Sequence, residues 1–181
     1  MRPRRPKPLA RAPLLDYALR TLSARALSLG ELRARLKERA ERTEDVEEVL
    51  GQLKGYGYLN DRRFAEAFAR LRRENQGFGK QRVLRDLRGR RVVPAVAEKA
   101  VAEAYGDAGE ADLIEQYLRR KLHYSDSRPR LDDPRRIAAL YRMLLRAGFS
   151  SANILASLRA LSAESGWVDS LESAAEQEAS D

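Results

Sequence analysis

The stretch Lys54-Gly55-Tyr56-Gly57-Tyr58-Leu59-Asn60-Asp61-Arg62-Arg63-Phe64-Ala65 decides the fold. Two glycines end one helical pattern, an Asn-Asp pair opens the next, and Phe64, Phe68 and Leu71 follow at three-to-four-residue spacing. The segment reads as a joint between helices. Asn60 or Asp61 suits the N-cap of the second helix, because a short side-chain oxygen accepts from the free N–H groups of a first turn. Behind the joint the charge is lopsided: residues 62–91 hold 11 Lys plus Arg against 3 acids, Glu66, Glu74 and Asp86.

Toward the N-terminus the pattern predicts three helices. Pro13 suits a first turn, with Leu14, Leu15, Ala18, Leu19 and Leu22 behind it and an end near Ala26. Ser28 and Glu31 have the form of a capping box ahead of Leu32 and Leu36. Thr43 opens a third helix whose Val46, Val49, Leu50 and Leu53 share one face, ending at Gly55.

Beyond the joint the same series returns twice. Asn60–Glu74 is expected to turn Phe64, Ala67, Phe68 and Leu71 inward. Gly77-Phe78-Gly79 breaks it, a short helix with Val83, Leu84 and Leu87 ends at Gly89, and Pro94 starts a third with Val96, Ala97, Ala100, Val101 and Ala104. The last round runs over Asp112–Leu122, from Pro134 to Gly148, and through Ile154, Leu155, Leu158 and Leu161. Leu36 to Val46, Leu87 to Val96 and Leu145 to Ile154 are ten, nine and nine residues apart, which marks one unit used in tandem. The expected fold is all-α: an elongated array of three tandem three-helix modules at 13–57, 58–106 and 107–162. A basic arm, residues 1–12, contains Pro3, Pro6 and Pro8 and is expected to be unstructured, as is an acidic tail at 163–181.

Composition narrows the function. There is no cysteine, which removes disulfides and thiolate metal sites, and no apolar run approaches the roughly 20 residues of a membrane span. The N-terminus lacks the apolar region of a signal peptide, so a soluble, cytoplasmic protein is expected. The net charge of +8 is localised: residues 1–11 carry five basic groups and no acid, and residues 163–181 carry six acids and no base. A polyanion is the natural partner of such a field.

Catalysis lacks parts. His123 is the lone histidine and has no base or nucleophile at a telling spacing. Gly77-Phe78-Gly79-Lys80 is not a phosphate loop, and the adjacent Glu47 and Glu48 diverge by about 100° on a helix. Neither an enzyme nor a cofactor or metal site is expected. The candidate binding surface is basic: Arg62, Arg63, Arg70, Arg73, Lys80, Arg82, Arg85, Arg88, Arg90 and Arg91, whose guanidiniums suit phosphate oxygens or acidic protein patches. Phe78, between two glycines, is the aromatic expected to be exposed at an interface. Tyr56, Tyr58 and Trp167 are further candidates for stacking, with packing between modules the default role for Tyr58 and Phe64.

Read in order, Glu31-Leu32-Arg33 to Leu36, Gly57-Tyr58-Leu59-Asn60-Asp61 with Phe64-Ala65, Gly77 to Gly79 with Arg82-Val83 and Leu87, and Leu144 to Ser150 with Ile154 and Leu158 resemble the RecX family. These are bacterial modulators of the RecA recombinase. The resemblance covers residues 14–161, and the Tyr-Leu-Asn-Asp segment followed by Phe-Ala is its most specific part. Where many relatives carry a basic, proline-containing stretch before the Glu-Leu pair, this chain has Arg25-Ala26-Leu27-Ser28-Leu29. The resemblance implies an all-helical modular protein, expected to be monomeric, that docks in the groove of a RecA filament and contacts single- or double-stranded DNA without reading its sequence. It further implies inhibition of RecA's ATPase, strand-exchange and co-protease activities. The alternative from the residues alone is a free-standing DNA-binding module of helix-turn-helix-like type.

Overall fold

A computed structural model describes residues 7–124 and 133–161, and among these every regular element is helical. In chain order they are α1 (Arg11–Ala24), α2 (Leu29–Lys37), α3 (Thr43–Gly55), α4 (Asp61–Leu71), α5 (Lys80–Gly89), α6 (Pro94–Tyr105), α7 (Glu110–Leu122), α8 (Pro134–Ala147) and α9 (Ser151–Arg159). A π-helical turn, Arg72–Gln76, continues α4 and stops at Gly77, whose φ of 66° is left-handed. The acidic tail and Trp167 lie outside the described residues.

The chain forms two compact units. One takes residues up to Phe68 together with Asp86–Ala100, the other Ala69–Arg85 together with residues from Val101 on, so α4, α5 and α6 each contribute to both.

In the first unit, Leu14, Leu32, Leu36, Val46, Val49, Leu50 and Leu53 form the buried core. Burying each such side chain contributes about 1.5–3 kcal/mol, against about 1 kcal/mol for a cap, so these leucines and valines dominate the unit's stability. Capping decides where the helices start. Ser28 Oγ accepts from the Glu31 N–H at 3.0 Å while the Glu31 carboxylate accepts from the Ser28 N–H at 3.2 Å, completing the capping box. Asn60 Oδ1 accepts from the Arg63 N–H at 3.0 Å and is the side-chain cap of α4. Asp61 is committed elsewhere: its Oδ1 accepts from the Leu29 N–H at 2.6 Å.

The arm expected to be loose through Ala12 is tied down earlier. The Leu9 N–H donates to the Arg39 carbonyl at 2.7 Å, the Glu41 N–H donates to the Leu9 carbonyl at 2.9 Å, and the Leu9 side chain packs on the core. Pro8 is incompatible with a helix interior but not with an extended contact.

In the second unit, Tyr105, Ile114, Leu118, Ile137, Leu144, Phe149, Ile154 and Leu158 are buried. Two inward assignments shift. Leu144 is buried and Leu145 exposed, and in α4 Ala65 and Ala69 are fully buried while Leu71 is 52% exposed. With Leu144 in place of Leu145 and buried Ala97 in place of half-buried Val96, the interval from the last core leucine of each second helix to the core of the next helix is ten residues all three times: Leu36 to Val46, Leu87 to Ala97, Leu144 to Ile154.

Candidate nucleic-acid interface

The predicted cations divide between the units and between two kinds of environment. In the first unit, Arg62 pairs with Glu66 at 2.6 Å and Arg88 faces Glu98 at 3.9 Å, both at the surface. Exposed pairs of this kind contribute about 0–1 kcal/mol, so each remains available to a stronger anion. Arg90 is different. Its guanidinium lies 3.4 Å from Glu31 and 5.0 Å from the Phe68 ring centroid, and its carbonyl accepts from Ser28 Oγ. Arg63 and Arg91 are exposed and carry no side-chain ion pair among the described residues.

In the second unit, Arg73 donates to the Ala104 carbonyl at the end of α6 and stacks over Tyr105 at 5.6 Å. Arg82 donates to the Arg146 carbonyl at the end of α8, at 3.3 Å, with its guanidinium 5.4 Å from the Phe78 centroid. A cation at the last carbonyls of a helix satisfies orphan acceptors and meets the negative end of the dipole. Arg120, absent from the predicted set, does the same for the π turn, donating to the Glu74 carbonyl at 2.9 Å. Lys80 is exposed above Tyr105, and Arg70 and Arg85 are exposed without an ion pair among the described residues.

Of the ten predicted cations, Arg73, Arg82 and Arg90 are therefore occupied in holding helix ends or a loop together. Arg63, Arg70, Arg85 and Arg91 are exposed and carry no ion pair among the described residues. Phe78 is corrected: it is half-buried, flanked by Arg72 at 5.9 Å and Arg82 at 5.4 Å, and its carbonyl accepts from the Tyr105 hydroxyl. The exposed aromatics are instead Tyr56 and Tyr58, 69% and 62% accessible and edge-to-face at 6.3 Å, so packing between modules does not explain Tyr58. The signal for them was in the sequence. Tyr56 lies between Gly55 and Gly57 and Tyr58 directly follows them, both outside the helices.

Two titrating groups lie beside these cations. Burial pushes the Tyr105 hydroxyl up to about 12, against a smaller downward pull from Arg73. Burial would raise Glu110 too, but hydrogen bonds from the Ser150 and Asn153 side chains and the Ser150 N–H, with Lys80 adding its charge, hold it below the usual range. His123 closes α7 in a left-handed conformation, φ 54°, and no cluster of three potential metal ligands occurs among the described residues. Nor is any described helix long and apolar enough to cross a membrane.

Comparison with known proteins gives a consistent picture. A family model described as "RecX, second three-helix domain" matches residues 60–101. Regulatory protein RecX of Deinococcus radiodurans is 37% identical over 160 residues, spanning 87% of this chain and 74% of that protein. Regulatory protein RecX of Syntrophotalea carbinolica is 32% identical over 136 residues, 75% of this chain and 87% of that one. The crystal structure of RecX from Lactobacillus salivarius superposes with a TM-score of 0.62 over 83% of this chain and 96% of that one, at 20% identity, which speaks for the fold alone.

Proposed function

Because this chain belongs to the RecX family of regulatory proteins, we propose that it acts by docking in the helical groove of a RecA filament, touching RecA and the bound DNA. The kinship carries this reading, and the exposed cations of α4 and α5 support it. In the proposal, Arg63, Arg70, Arg85 and Arg91 hold phosphates or acidic protein patches without reading bases, aided by Arg62, Arg88 and Lys80. Arg73, Arg82 and Arg90 act indirectly by fixing the backbone that presents them. The consequence for RecA is inhibition of its ATPase, strand-exchange and co-protease activities, with no reaction carried out by this protein itself.

The test adds purified protein at stoichiometric amounts to RecA assembled on single-stranded DNA and follows ATP hydrolysis and strand exchange. Suppression of both is expected; unchanged rates would remove the proposal. The same preparation separates it from a free-standing DNA reader, which would prefer a selected duplex over a random one at physiological salt without RecA.

A further inference from the structure

Tyr56 and Tyr58 are exposed on a turn whose backbone is fixed at both ends. The Tyr58 N–H donates to the Leu53 carbonyl at 3.0 Å and the Gly57 N–H to the Lys54 carbonyl at 2.9 Å, with Gly57 left-handed at φ 75°. These are the paired bonds of a Schellman ending to α3. On the far side Leu59 is buried and Asn60 caps α4. Such an ending commonly packs the residue in the Tyr58 position back on the last turn of its helix. Here Tyr58 is turned out, and its ring meets Tyr56 edge-to-face at 6.3 Å, with 71° between the planes. Folding has already placed these two rings and left them open to a partner.

We infer that Tyr56 and Tyr58 are a stacking platform for two unpaired bases of single-stranded DNA, with Lys54 and Arg63 on the phosphates beside them. The inference rests on the reading that this chain touches DNA, and adds which form of DNA and which atoms of it. Charge selects that occupant over an apolar protein surface. Residues 54–65 hold Lys54, Arg62 and Arg63 against one acid, Asp61, whose Oδ1 already accepts from the Leu29 N–H. Lys54 and Arg63 are both exposed. The aliphatic side chains of the stretch point the same way: Leu59 and Ala65 are buried, so the turn offers π faces beside cations and not an apolar patch. Geometry sets the stoichiometry. Rings at 71° cannot sandwich one base between them, so each takes its own. In a duplex the base faces are already stacked on one another, and only a single strand can present them to a side chain.

The test titrates the full chain, without RecA, into a labelled oligothymidylate and into a strand of the same length that lacks the bases. The strand with bases should bind at least about fivefold more tightly. Tyr56→Leu and Tyr58→Leu should each lower that affinity by at least about fivefold, while Tyr56→Phe and Tyr58→Phe keep it, because a phenyl ring still stacks. Binding of the leucine variants to the abasic strand and to duplex should be unchanged. So should their slope of log affinity against log salt, since no phosphate contact is removed. Equal affinity of the unaltered chain for the two strands overturns the inference, whether or not any variant folds. A leucine variant that weakens equally on both strands overturns it too, as does one that binds oligothymidylate normally but no longer suppresses RecA's ATPase, which would give the rings to a protein contact. Suppression of RecA together with equal affinity for the two strands removes this inference and leaves the proposed function standing. Preference for the strand with bases but no effect on RecA does the reverse.

Discussion

The hydroxyl of Tyr105, the last residue of α6, donates to the carbonyl of Phe78, in the turn before α5. Tyr105 is 1% exposed, so its ring and its hydrogen bond together hold the Gly77-Phe78-Gly79 turn that aims Lys80 and Arg82. Tyr105→Phe leaves the carbonyl without its donor and should cost about 1–2 kcal/mol in urea unfolding. Its raised pKa adds a pH signature. Below the ordinary tyrosine value of 10.0 both folded and unfolded forms are protonated, and between that and about 12 only the unfolded chain ionises. Stability should thus fall as pH rises through that window, by up to about 3 kcal/mol, and the Tyr105→Phe protein should show a shallower slope.

Glu110 gives the opposite sign. Its carboxylate accepts from the Ser150 N–H at 3.0 Å and from the side chains of Ser150 and Asn153, joining α7 to the start of α9. With its folded pKa below 4.5, it contributes stability that is present above that value and disappears as pH falls toward the folded value. Glu110→Gln should flatten the acid limb of a Tm-against-pH curve while lowering Tm at neutral pH.

Gly79 and Gly51 make a matched pair. A Cβ at Gly79 would overlap the Gly148 carbonyl oxygen and come within 2.9 Å of Phe149 Cδ1, whereas one at Gly51 in α3 meets nothing within 4 Å. Gly79→Ala should destabilise by about 1–3 kcal/mol, and Gly51→Ala should stabilise by about 1 kcal/mol through helix propensity. Denaturant midpoints measured side by side decide it.

Arg91 has φ of 59°, at the position where α8 has Gly148 with φ of 92°. A left-handed conformation costs an L-residue about 1–2 kcal/mol, so Arg91→Gly should raise stability while weakening DNA binding. Raised Tm with unchanged affinity would take Arg91 out of the interface.

Arg63, Arg70 and Arg85 changed together to Ala should leave the unfolding free energy within about 1 kcal/mol of the parent, being exposed and without an ion pair among the described residues. If each contacts a phosphate, the slope of log affinity against log salt should shrink by about 0.7–0.9 for each. Arg73→Ala is the contrast, predicted to lower Tm because it leaves the Ala104 carbonyl without its donor.

Local chemistry was legible in the sequence and tertiary chemistry was not. The Ser28–Glu31 box, the Asn60 cap and the Gly148 stop need only neighbours along the chain, and each stands where its pattern put it. Asp61 looked like an equal candidate for the cap, and only the approach of Leu29, 32 residues away, assigns it another task. Taking Leu145 as well as Leu144 for the core of α8 errs by one residue, about 100° around the helix, and Leu145 is the one that faces solvent. Leu71 faces solvent just before the π turn, where the α-helical period is lost. The arginines were visible as a cluster, but whether a guanidinium meets phosphate or a carbonyl depends on helix ends that only folding brings near. Arg73 and Arg82 differ from Arg70 and Arg85 in nothing that spacing records.

The ten-residue interval confines where the chain can change length. Val46 to Ala97 is 51 residues and Ala97 to Ile154 is 57, so the difference of six falls outside the ten-residue interval between each second and third helix. One residue inserted between Leu87 and Ala97 would rotate α6 by about 100° against its core.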